Sequence, residues 1–196
     1  MIYCATSNPG KLAEYQLATP GDWRLLAAGP LDCPETGSSF AENAVEKAQC
    51  YARHLQGLVF ADDSGLEVEE LGGEPGVRSA RYAGPRATDE QNRALLLEKL
   101  RGRARASRSK ARFVCVIALA RNGRLLGTFR GTADGEILDQ ARGAGGFGYD
   151  SLFYFPPLGR SFAELSAEEK LAHSHRGQAF RAMVEWIKAQ AGRLNA

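Results

Sequence analysis

The dipeptide Asn122-Gly123 stands between two long strand-like runs, Arg112 to Ala120 and Arg124 to Gly131. Every residue from Phe113 to Ala120 is apolar, so the first run belongs in a core. Asn-Gly supplies the positive φ that both central positions of a type I′ turn need, and that turn matches the twist of its flanking strands. The spacing therefore predicts a long antiparallel hairpin. A chain containing it does not build a purely parallel sheet.

Helical periodicity surrounds the hairpin. Ser39-x-x-Glu42 is a capping box, and Phe40, Ala44, Val45, Ala48, Tyr51, Ala52 and Leu55 recur behind it at helical spacing. These residues predict an amphipathic helix running to about Gln56. Thr88-x-x-Gln91 caps a second helix through Leu100, Ser166-x-x-Glu169 starts a short one, and Gln178 to Ala191 reads as a last amphipathic helix. Short strands are predicted at 1–6, 22–28, 58–61 and 152–155, with a helix from about Lys11 to Ala18 after the Asn8-Pro9-Gly10 turn. Loops are predicted at Gly72 to Gly76 and Gly143 to Gly148. Helices and strands mixed in this way give an α/β fold, a mixed sheet flanked by helices.

At 196 residues the chain is most economically one domain, 1–196, or one domain of two lobes. A formal charge of +2 gives no global reason to expect nucleic-acid binding. The basic run Arg101, Arg103, Arg105, Arg108, Lys110 and Arg112 lacks interleaved aromatics and reads as a solvated connector. No apolar run approaches the ~20 residues of a membrane span, and Met1 to Thr6 is not patterned as a signal peptide. Cys4, Cys33, Cys50 and Cys115 are scattered, so four structural thiols in a reduced, cytoplasmic protein are expected, without zinc.

Three segments carry chemistry. Asp62-Asp63-Ser64-Gly65 follows the apolar run Leu58-Val59-Phe60 and reads as a turn. Adjacent carboxylates repel, and such a doublet persists where a cation, often a divalent metal, pairs with it; the alternative is an acidic surface turn. Thr6-Ser7-Asn8-Pro9-Gly10-Lys11 joins a strand to a helix, so its N–H groups suit an anion and Lys11 suits a phosphate chain; the alternative is an ordinary strand-to-helix turn. Gly145-Gly146-Phe147-Gly148-Tyr149-Asp150 offers close backbone approach and two aromatics to a planar base, or else a tight turn with packing rings. Lys170 and Arg176 add cations late in the chain, and His173 and His175 beside them read as hydrogen-bonding a ligand or as structural. Carboxylates for a metal with separate cations for phosphate oxygens suit phosphoryl or nucleotidyl chemistry.

Taken in order, Thr6-Ser7-Asn8-x-x-Lys11, Glu35-Thr36-Gly37-x-x-Phe40-x-Glu42-Asn43-Ala44, Ala61-Asp62-Asp63-Ser64-Gly65-Leu66, Pro75-Gly76-Val77-x-Ser79-Ala80-Arg81-Tyr82, Gly145 to Asp150 and Ser174-His175-Arg176-Gly177 resemble the inosine/xanthosine triphosphate pyrophosphatase family. The resemblance runs essentially end to end. It implies a single ITPase-like domain with a two-lobed mixed sheet and an active site in the cleft between the lobes. It also implies a homodimer that hydrolyses ITP, dITP and XTP to the monophosphate and pyrophosphate with Mg²⁺. Asp63 is then the catalytic carboxylate and a metal ligand, with Glu35 the second metal candidate. Ser64 contacts substrate. Thr6, Ser7, Asn8, Pro9, Gly10 and Lys11 hold phosphates, and Phe147, Gly148, Tyr149, Asp150, Lys170, His175 and Arg176 hold the nucleotide. Ser7 stands where the family usually has glycine, and Pro34-Glu35 where it usually has two acids.

The expected reaction is attack of water on the α-phosphorus with Asp63 as base, Lys11 and Lys170 offsetting charge on the leaving pyrophosphate. Two rivals remain at this stage. One is a pyrophosphatase of the same broad fold acting on modified pyrimidine or methylated nucleotides. The other is a catalytically silent nucleotide-binding protein.

Overall fold

The structure is a computed structural model and describes residues 1–101, 108–190 and 192. Among these, seven strands form one sheet in the order β2-β1-β3-β4-β5-β6-β7. They are β1 (Ile2–Ala5), β2 (Leu25–Ala27), β3 (Leu58–Val68), β4 (Ser109–Arg121), β5 (Arg124–Ile137), β6 (Phe153–Phe155) and β7 (Arg160–Ser161). β1 runs parallel to β2 and to β3, with Ile2 level with Leu25 and Leu58. β6 runs antiparallel to β5 and β7, so the sheet is mixed. The helices are α1 (Pro9–Ala18), α2 (Phe40–Ala52), α3 (Asp89–Leu100), α4 (Ala167–His173) and α5 (His175–Ala189).

The hairpin of β4 and β5 turns at Asn122 and Gly123, both at positive φ (51° and 74°), as a type I′ turn requires. It is longer than the hydrophobic run suggested, since β4 begins at Ser109 and β5 continues to Ile137. The basic run is therefore not all connector. Lys110 and Arg112 lie on β4, and Arg112 pairs with Asp134 at 2.6 Å. Arg103 and Arg105 fall outside the described residues.

The chain divides into two compact units. The first comprises Met1–Asp63, Cys115–Gly131 and His175–Ala196. Its core is Ile2, Tyr15, Phe60, Ile117, Leu119, Phe180 and Met183. Gly131 is seated against the start of α5, where a Cβ would lie 2.1 Å from the carbonyl oxygen of His175; only glycine admits that approach. The second unit comprises Ser64–Val114 and Thr132–Ser174, around Leu66, Leu96, Phe113, Phe153 and Phe162.

Four local expectations are corrected. Asp62-Asp63-Ser64-Gly65 is no turn: β3 runs unbroken from Leu58 to Val68. Successive strand side chains point to opposite faces, so the two acids are carried apart and each finds its own partners. α2 ends at Ala52 rather than near Gln56, because the chain tightens into i−3 bonds from Arg53 to Cys50 and His54 to Tyr51. α5 begins at His175, three residues before Gln178. Finally, Cys33 and Cys50 form a disulfide, leaving only Cys4 and Cys115 as buried thiols. The bridge ties the segment before α2 to α2 itself, a tertiary contact that cysteine spacing alone does not reveal.

Candidate active site

The first unit gathers its charges around the end of its part of β3. Asp62 is 1% exposed, yet it is surrounded by cations. Its Oδ2 accepts from Lys11 Nζ at 2.8 Å and lies 4.0 Å from Arg176 Nε. Burial alone would raise this carboxyl, but Lys11, Arg176 and Lys47 outweigh it and hold it down to about 2. Its Oδ1 is buried with no hydrogen-bond partner.

Asp63 is half-buried and accepts a hydrogen bond at Oδ2 from Asn43 Nδ2 at 2.9 Å. Burial raises its carboxyl above the ordinary value, with the charge of Asp62 adding to the rise and Asn43, Lys11 and Lys47 opposing it. Two neighbouring carboxyls are thus pushed in opposite directions, the usual preparation for giving one a proton-accepting role while the other stays ionised.

α1 and α5 serve Asp62, and α2 serves Asp63. In the first loop, Asn8 caps α1 by accepting from Lys11 N–H at 3.0 Å, and Thr6 Oγ1 accepts from Asn8 N–H at 3.2 Å. Pro9 occupies the first turn, where its missing N–H costs nothing. Ser7 is exposed and Gly10 half-buried. Lys11 is held by a carboxylate rather than standing free for phosphate. Arg176 is 2% exposed, and its Nη1 donates to Glu14 on α1. His175 is buried beside it. Ser64, half-buried on β3, belongs to the second unit.

Glu35 is engaged at 2.6 Å by Lys47, and no group of three His, Cys, Asp or Glu residues suited to a metal occurs among the described residues. The oxygen donors that fit a hard divalent cation are elsewhere. Asp62 Oδ1 and Asn43 Oδ1 are both buried without a hydrogen-bond partner, and it is the Asn43 amide that donates to Asp63. Oxygen donors of this kind suit Mg²⁺.

The remaining residues form a group in the second unit. Asp150 Oδ2 accepts from Phe147 N–H at 2.9 Å and from the Lys170 ammonium. Lys170 Nζ lies 4.7 Å from the Phe147 ring centroid, a cation–π distance. Tyr149 is buried and its hydroxyl donates to Ser79 O at 2.9 Å, so it packs rather than facing outward. Gly148 is gripped by α3, with its N–H donating to Asp89 Oδ2 and its carbonyl accepting from Arg93 Nη1, both at 2.6 Å.

Sequence reasoning passed over Asn43, Lys47 and Glu14 as site residues. A signal existed for the first two: they are polar residues one turn apart on a helix whose neighbouring positions Phe40, Ala44 and Ala48 are buried.

The Ham1 family model matches residues 2–186. The chain belongs to the Ham1 family. A dITP/XTP pyrophosphatase of Thermus thermophilus is 47% identical over 191 residues, covering 95% of this chain and 91% of the relative. Among solved structures, this Ham1-family chain is similar to a HAM1 protein from Coxiella burnetii (TM-score 0.85, 40% identity, 96% and 98% of the two chains). The Staphylococcus aureus Ham1 protein gives a TM-score of 0.84 at 41% identity, with the same coverage. The sheet order and flanking helices are therefore those of a family fold.

Proposed function

We propose that this chain is a nucleoside triphosphate pyrophosphatase that hydrolyses the non-standard purine nucleotides ITP, dITP and XTP to the monophosphate and pyrophosphate, cleansing the nucleotide pool. The observation that carries the chemistry is the Asp62-Asp63 doublet, one carboxylate buried against Lys11 and Arg176 and its neighbour half-buried and held by the neutral Asn43 amide. The substrate class is supported by relatives of nearly full coverage named dITP/XTP pyrophosphatase. Residues 1–196 act as one ITPase-like domain, as a homodimer in the cytoplasm. No helix among the described residues is long and apolar enough to cross a membrane.

Asp63 orients a water molecule and takes its proton as the water oxygen bonds to the α-phosphorus. The bond from that phosphorus to the bridging oxygen of pyrophosphate breaks. Asn43 holds the carboxylate oxygen that does not take the proton. Lys11 and Lys47 keep positive potential beside the developing charge, and Lys170 adds its charge beside Phe147. Mg²⁺ would be the cofactor; Asp63 would hold it, and it would supply neutralisation of charge on phosphate oxygens. Glu35 joins it only by exchanging Lys47. Thr6 to Gly10 hold phosphates, Lys11 joins them only by exchanging Asp62, Ser64 contacts substrate, and Phe147 to Asp150, His175 and Arg176 serve the nucleoside.

A nucleotide panel with Mg²⁺ tests this reading. Values of kcat/KM for ITP, dITP and XTP should exceed that for ATP by ~10-fold or more, since donors aimed at a 6-oxo group are left unpaired by adenine. Guanine shares the 6-oxo group, so discrimination against GTP has to act on its 2-amino group. Higher values for modified pyrimidine nucleotides would favour the related pyrophosphatase. No turnover of any nucleotide would favour a binding protein.

A further inference from the structure

Both backbone polar groups of Gly148 are taken by one face of α3. Asp89 and Arg93 are four residues apart and so neighbours on that face. Asp89 accepts from the Gly148 N–H and Arg93 donates to the Gly148 carbonyl. Neither residue belongs to the ordered motifs of the sequence. The N–H of Gly148 shares its peptide plane with the carbonyl of Phe147, so the Asp89 contact fixes the plane on the C-terminal side of Phe147. On the N-terminal side, Phe147 N–H is fixed by Asp150 Oδ2 at 2.9 Å. The next plane along is fixed by Arg93, and Tyr149 beyond it is anchored to Ser79. Phe147 is half-buried, with Lys170 over its ring. Its backbone is therefore held on both sides while part of its side chain stays accessible.

We propose that Asp89 and Arg93 are positioning residues that clamp Gly148 and thereby hold Phe147 as a rigid platform for the purine ring. This rests on the nucleotide reading above. A platform held in place before binding does not have to be ordered by the ligand, which favours affinity for the base without adding a contact. The clamp concerns the base alone. Its loss weakens nucleotides and spares anything that binds only through phosphates.

The test uses the full chain with Mg²⁺, measuring kcat and KM for ITP, inhibition by tripolyphosphate as a probe without a base, and the melting temperature. Asp89→Ala and Arg93→Met should each raise KM for ITP by ~10-fold, the scale of one lost hydrogen bond to a charged partner. They should leave kcat within about 2-fold and tripolyphosphate inhibition unchanged. Asp89→Asn removes the charge at the helix start but keeps an acceptor, and Arg93→Lys keeps a donor, so both should restore most of the ITP affinity. An unchanged KM in Asp89→Ala and Arg93→Met overturns the clamp. So does parallel weakening of ITP and tripolyphosphate, or failure of both conservative variants to restore binding. Absence of ITP turnover in the unsubstituted protein would instead overturn the functional reading, so the two failures are distinguishable.

Discussion

The Lys11 ammonium lies 2.8 Å from Asp62 Oδ2, and this pairing separates the two members of the Asp62-Asp63 doublet. Asp62 is the buried counter-charge of Lys11 and Arg176, whereas Asp63 accepts from the neutral amide of Asn43. Removing the charge should therefore have different consequences at the two positions. Asp62→Asn leaves Lys11 and a fully buried Arg176 without their shared anion. Breaking a buried pair from one side costs about 3 kcal/mol or more, so the melting temperature should fall by roughly 6–12 °C for a chain of this size. A thermal melt within a degree or two of the parent would show that Asp62 is not the structural anion.

Asp63→Asn should do the opposite. It keeps the size and most hydrogen bonds of the side chain but cannot accept the proton of the attacking water. We expect kcat for ITP to fall by roughly 10²-fold or more, the contribution of a positioned base, with little change in melting temperature. Near-parent turnover would return the segment to an acidic element without catalytic role.

Much of this arrangement was legible in the sequence, and the misreadings have physical causes. Capping boxes at Ser39, Thr88 and Ser166, and the Asn122-Gly123 turn, are local hydrogen-bond and φ requirements, so each was placed from a few residues. Asp62-Asp63 was read as a turn because two adjacent charges look unfit for a strand. What makes them fit is Lys11, Arg176 and Asn43, residues from three helices far apart in sequence. The order of motifs named candidate site residues, but the employment of Lys11 by Asp62 and of Arg176 by Glu14 depends on packing. The disulfide is a further tertiary event, since 17 residues separate Cys33 from Cys50.

The cysteines should divide cleanly by reactivity. Burial, with the nearby Asp62 charge adding to it, pushes the Cys115 thiol up to about 12, and burial raises Cys4 still further. At pH 8 both stay protonated and unreactive, because the thiolate is the nucleophile. Native, unreduced protein should take up no iodoacetamide within an hour, and mild reduction should expose Cys33 and Cys50 to labelling. Peptide mass analysis checks this. Labelling of Cys33 or Cys50 without reductant would mean the bridge is not formed.

His175 and Arg176 are the residues proposed to read the base. Arg176→Ala strands Glu14 as well as Asp62 and should chiefly destabilise the fold, which makes His175→Ala the cleaner probe. If His175 helps read the 6-oxo edge, the ratio of kcat/KM for ITP over ATP should shrink by ~10-fold. Equal losses with both nucleotides would assign base recognition to the Phe147 to Asp150 loop.

The most direct measurement is hydrolysis of ITP in ¹⁸O-labelled water with Mg²⁺, with the products separated and weighed by mass spectrometry. Attack on the α-phosphorus forms the new P–O bond in the monophosphate. IMP should therefore carry one ¹⁸O, pyrophosphate should carry none, and IDP should not accumulate. Label in pyrophosphate, or early IDP with labelled orthophosphate, would place the attack on another phosphorus and contradict the assignment of Asp63 as the base for α-phosphorus hydrolysis.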